Sequence, residues 1–87
     1  MNRLPDLLRQ VLRTFCYAEW YELSVLAGIV ERGDADFDVG QMRKELDLVI
    51  EAVEVPFEEL NEVTGLGFED SKEARRWLEE VRTTVFR

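Results

Sequence analysis

Four carboxylates stand where a metal site would need them. Asp34, Asp36 and Asp38, with Glu45 eleven residues after Asp34, match the oxygen-ligand spacing of an EF-hand calcium loop. The pattern fails at its turn. The sixth position calls for glycine because the backbone there takes a positive φ, and Val39 occupies it, a β-branched residue for which that geometry is costly. Gly40 comes one residue late, the normally apolar eighth position is Gln41, and no second loop completes a pair. No metal is expected here, and a calcium-binding helix–loop–helix protein is only the lesser alternative. The plainer expectation is an acidic loop in which Asp38 or Asp36 caps the next helix, where negative charge is favourable.

Catalysis has little to start from. The chain contains no histidine, which removes the commonest general base and the commonest metal ligand together. Cys16 is the single cysteine, and Glu19 follows it. A thiolate nucleophile needs a positive environment, so Cys16 is expected to be a buried free thiol. No internal disulfide can form, which fits a reducing compartment. Gly65-Leu66-Gly67 follows a helical pattern rather than a strand and lacks the third glycine and the lysine of a phosphate-binding loop. The chain is not expected to be an enzyme, and no cofactor is implied.

Charge is the more informative chemistry. Residues 31–70 hold thirteen acids against three bases, a net of −10, while the rest of the chain is +2; the total is −8. Within this stretch Asp47, Glu51 and Glu54 follow at i, i+4 and i+7, and Glu58 and Glu62 continue the series. None has a basic residue one turn further on along its own helix. Like charges so placed cost a few tenths of a kcal/mol per pair. On the last helix, Arg75–Glu79 and Arg76–Glu80 have opposite signs at i, i+4 and are expected to pair. The contrast suggests a surface shaped for a basic partner, and a solvated acidic face is the bland alternative. Candidate partner-binding residues are Asp34, Asp36, Asp38, Asp47, Glu51, Glu54, Glu58 and Glu62, with Phe37 as an apolar plug in the acidic loop.

Helices must position these groups. A first helix is predicted over 3–17, with Leu4, Leu8, Val11, Leu12 and Phe15 on one face, Pro5 in its first turn and Asn2 as N-cap. Its arginines, Arg3, Arg9 and Arg13, lie off that face. Phe15, Tyr17, Trp20 and Tyr21 are expected in the core, because aromatics dominate burial in small domains. A second helix over 22–32 is apolar on most sides, which predicts burial against several neighbours, and Gly33 closes it. Gly28 inside it suggests close helix packing. The third helix is predicted from Val39 to Val53, with Met42, Leu46, Val49, Ile50 and Val53 inward. A short helix over 56–63 and a last one capped by Asp70 or Ser71 complete the chain.

The expected fold is therefore all-α: residues 1–87 as a single helical domain, a compact bundle of four helices plus one short helix. Its core is expected to hold Leu8, Val11, Phe15, Leu26, Val30, Met42, Leu46, Val49, Ile50, Val53, Leu60, Trp77, Leu78 and Val81. Eighty-seven residues allow one modest core but no deep internal active site. No apolar run reaches the ~20 residues of a membrane span, and the amino terminus lacks the apolar segment of a secretion signal, so cytoplasmic residence is the default. A pI near 4.5 argues against nucleic-acid binding, since phosphates would be repelled.

The order of these elements carries a resemblance. An early helix runs into Phe15-Cys16-Tyr17-Ala18-Glu19-Trp20, MRKELDLVI forms a middle helix, PFEELNEV a short one, Gly65-Leu66-Gly67-Phe68 a glycine turn, and EARRWLEEVRTTV a tryptophan-leucine ending. This resembles the small all-helical immunity proteins of bacterial contact-dependent growth inhibition systems. The resemblance implies a cytoplasmic, non-enzymatic inhibitor that neutralises a cognate toxin domain by tight binding. Many such toxins are nucleases with basic clefts, which an acidic surface could occupy. A rival function is a helical regulatory or scaffold subunit that docks on a protein partner or on itself. Oligomeric state is left open by the sequence.

Overall fold

The structure, a computed structural model, describes residues 3–86. The chain forms α1 (Asp6–Phe15), a single 3₁₀ turn (Ala18–Trp20), α2 (Leu23–Arg32), α3 (Val39–Glu51), α4 (Phe57–Thr64) and α5 (Ser71–Val85). Among the described residues every regular element is helical, so the all-α expectation stands, with five α-helices of which α4 is the short one. The expected cap at Asn2 lies outside the described residues.

Leu8, Leu12, Leu26, Met42, Leu46, Leu60 and Leu78, one or two from each helix, are fully buried at the centre. The longest helix, α5, packs mainly on α2 and α3, and α1 packs on α3 and α4. Removing the Leu46 side chain to alanine would cost about 2–5 kcal/mol, since a close-packed interior cannot collapse onto the hole.

Several boundaries differ from the periodicity, each for a local reason. α1 starts at Asp6 with Pro5 as its cap residue rather than inside its first turn, and it ends at Phe15. Trp20 closes that end: its indole N–H donates to the Thr14 carbonyl at 3.0 Å and to that of Arg13 at 3.3 Å. This edge role keeps Trp20 44% exposed, and Tyr21 likewise, so these two are not core as expected. Tyr17 and Phe15 are half-buried; Tyr17 stacks on Trp20 with centroids 4.8 Å apart. Tyr21 instead accepts a hydrogen bond from Trp77 Nε1 at 3.0 Å, and Trp77 packs half-buried against Phe68.

α3 stops at Glu51, two residues short of the expected end, so Val53 leaves the helical register and is 95% exposed instead of buried. Val55 and Phe68, from irregular segments with no period to betray them, are buried in its stead. α2 departs furthest: only Leu23 and Leu26 are buried, Val30 is half-buried, and Val25 is 45% exposed. Cys16 is buried and free, as expected, and burial pushes its thiol up to about 12.

Candidate partner-binding surface

The acidic stretch begins where α2 ends. Gly33 takes the left-handed conformation, φ 74°, and the Asp34 N–H turns back to the Ile29 carbonyl at 3.0 Å, the usual way of satisfying a helix's last carbonyls. Asp34 accepts from Arg32 Nε at 3.0 Å. Asp38 is the N-cap of α3, its Oδ1 accepting from Gln41 N at 3.0 Å. Asp36 is exposed, and Phe37 is half-buried with its ring packed against the core rather than held out as a plug.

Glu45, the would-be twelfth ligand, is engaged elsewhere. Its Oε1 accepts from the Leu8 N–H at 2.9 Å, and its Oε2 from Gln41 Nε2 at 2.9 Å. Glu59 of α4 does the same one turn earlier, accepting from Leu4 N at 2.7 Å and holding Arg9 at 3.5 Å. The first amides of a helix have no partner within it, and Pro5 has no side chain that could serve them. Glu45 thus supplies, at the third residue of α1, the side-chain cap that Pro5 lacks, and Glu59 anchors the residue before that proline. No group of three or more His, Cys, Asp or Glu side chains among the described residues converges as a metal cage would.

The second half of the stretch is built on α3 and α5. Asp47, expected to be unpaired, accepts from Arg82 Nε of α5. Arg75 does not pair with Glu79. Its guanidinium reaches across to the end of α3, where Nε donates to the Ile50 carbonyl at 3.0 Å and Nη2 to those of Ala52 at 2.5 Å and Val53 at 3.1 Å. A cation suits a helix carboxyl terminus, where the unpaired carbonyls gather negative potential. The same connector is pinned by the Val55 N–H, which donates to Ser71 Oγ at 2.8 Å. Neither expected pair of α5, Arg75–Glu79 or Arg76–Glu80, forms an ion pair among the described residues.

Glu51, Glu54, Glu58 and Glu62 are exposed, and none of their carboxylates forms an ion pair among the described residues, although Arg13 donates to the Glu62 backbone carbonyl at 3.4 Å. Glu79 belongs with them and was missed by the sequence reading, which had assigned it to Arg75. It lines, with Asp47, Ile50, Glu51, Arg82 and Thr83, an open depression of about 360 Å³ between α3 and α5. Beside the acids stand two exposed apolar side chains, Leu48 at 52% and Val53 at 95%. The signal for Glu79 was indirect: α3 ends without a glycine or a basic residue of its own, so an arginine had to come from elsewhere.

The nine candidate residues therefore divide. Asp34, Asp38 and Asp47 serve the fold, Phe37 packs inward, Asp36 is exposed in its loop, and Glu51, Glu54, Glu58 and Glu62 are free. No protein-family model matches the chain, and comparison with curated proteins and with solved structures finds no match either.

Proposed function

We propose that this chain is an immunity protein: a cytoplasmic inhibitor that binds a cognate bacterial toxin domain through its acidic surface and performs no catalysis. The observation that carries the reading is the exposed group of Glu51, Glu54 and Glu79 around the end of α3, none of which forms an ion pair among the described residues. Their charge is not spent on internal ion pairs, and Arg75 holds the connector that presents Glu54 and Val53. A pre-ordered connector loses little entropy on binding. The partner is a toxin domain with a basic cleft, of the nuclease kind, whose phosphate-binding groups meet these carboxylates. Charge complementarity would chiefly speed encounter, toward ~10⁸ M⁻¹s⁻¹ at low salt. Val53 and Leu48 replace Phe37 as the apolar contacts, since affinity rests on a few desolvated anchors rather than on total charge.

The test begins with the neighbouring genes, where a toxin gene is expected and its absence would count against the reading, and goes on to co-expression with that toxin. Rescue of growth is expected, and failure to rescue at full expression would overturn the reading. Stopped-flow association should then slow and lose salt dependence when Glu51 and Glu54 are both changed to lysine. An unchanged on-rate would move the contact to another face.

A further inference from the structure

The sequence leads one to expect α2 inside the fold, and the structure leaves one side of it bare. Its residues Leu23 to Val30 are the longest uncharged run in the chain. Leu26 is fully buried, and Gly28 lies two residues on, ~200° around the helix, on the side facing away from the core. Glycine inside a helix is unfavourable by about 1 kcal/mol relative to alanine. Nothing in the described fold requires it. Gly28 does not have the positive φ of Gly33, Gly65 and Gly67, and a methyl group placed there would meet only the guanidinium of Arg32, its Nη1 at 3.0 Å, and no atom of another element. Arg32 is the flexible end of an exposed ion pair with Asp34, which contributes little and can swing aside.

Beside Gly28 runs a groove of about 550 Å³, walled by Ser24, Ala27 and Glu31 of α2, by Arg43 of α3 and by Thr84 and Phe86 at the end of α5. Val25, the largest apolar side chain exposed on α2, stands on the same outward side. We propose that this face pairs with the same face of a second copy of the chain, the two α2 helices crossing closely at Gly28 and each Val25 entering the partner's groove. Three observations favour a second copy over a foreign protein. The surface carries both a projection and a recess, as a two-fold contact demands of one patch. A copy brings a charge of −8 of its own, and this groove holds both Glu31 and Arg43, opposite charges that a two-fold contact can set across from each other. The glycine permits the close backbone approach that two identical helices need. A standard interface covers about 800 Å² per partner. One helix of 10 residues and the tip of another supply less, so a dimer in the micromolar range is expected rather than an obligate one.

Sedimentation velocity on the whole chain, from low micromolar to near-millimolar concentration, reads this directly. The mass should rise from 10.2 kDa toward twice that value. Val25→Glu and Gly28→Leu should both stay at 10.2 kDa throughout, with helical circular dichroism unchanged because neither side chain meets the core. Glu54→Lys, in the proposed toxin surface, should dimerise like the parent. A parent that remains at 10.2 kDa at every concentration overturns the inference, whether or not another protein is found to protect this face. So does a dimer that survives both substitutions. The immunity reading stands or falls separately, on rescue of growth.

Discussion

Glu45 and Glu59 differ from Glu51 and Glu54 in almost nothing that a sequence records. All four belong to one acidic stretch and sit on or beside α3 and α4. Yet Glu45 holds an amide in the first turn of α1 and Glu59 one just before it, whereas Glu51 and Glu54 form no ion pair among the described residues. The difference teaches that net charge measures neither function nor solvation. Part of the −10 is a prosthetic cap for a helix that begins at proline, and only the remainder is available to a partner. What separates the two sets is the direction the helix face gives them.

Substitutions can break that division, and the largest effect is expected at the clamp between the two sets. Arg75→Met should cost about 2–3 kcal/mol in chemical denaturation, because charge-assisted hydrogen bonds to three carbonyls vanish together. A loss below about 0.5 kcal/mol, the ordinary surface range, would show that the clamp does not order the connector. Next come the caps. Glu45→Ala should cost about 1–2 kcal/mol, as the loss of a side-chain cap does, with Glu45→Gln retaining part of it through its amide oxygen. Glu51→Lys and Glu54→Lys should each move stability by no more than about 0.5 kcal/mol. If they destabilise as much as Glu45→Ala, the proposed separation into internal and outward carboxylates is wrong.

The smallest effect near neutral pH is at Cys16, and it grows with alkalinity. Burial raises its folded-state value from 9.0 to about 12, so the folded chain holds its proton more tightly than the unfolded one. The resulting stability is fully present below pH 9 and is lost as pH climbs from there toward 12. Denaturation midpoints should fall across that window, and a Cys16→Ala chain should lack this part of the fall. Thiol reagents at pH 8 should label the native chain only through opening.

The helices were legible because burial imposes a period, and Leu8, Leu26, Met42, Leu46, Leu60 and Leu78 all fall where it puts them. Asp38 and Asp70 were legible as caps because a cap acts within three residues. Arg75 was not, since its acceptors lie 22–25 residues back, and a local rule offered it Glu79 instead. Val53 was misplaced because a periodic pattern does not announce its own end. Asp47 reads as unpaired in the sequence because its arginine comes from another helix. Of the candidate surface, the free glutamates were visible in the sequence, and their membership with Glu79 was not, because that depends on how α3 and α5 meet.

The borrowed cap of α1 also sets a timetable. As the chain leaves the ribosome at roughly 5–20 residues per second, with amino-terminal segments emerging first, α1 is synthesised before Glu45, which caps it, and Glu59, which anchors its approach, exist. Glu45 follows Leu8 by 37 residues and Glu59 follows Leu4 by 55, so the wait is on the order of seconds. Over that interval α1 is a helix of 10 residues, too short to persist alone in water. Its amino-terminal turn is expected to be the last to gain protection during refolding, a lag that pulse-labelled hydrogen exchange at Leu4 and Leu8 would record. The helix made before its cap is finished after it.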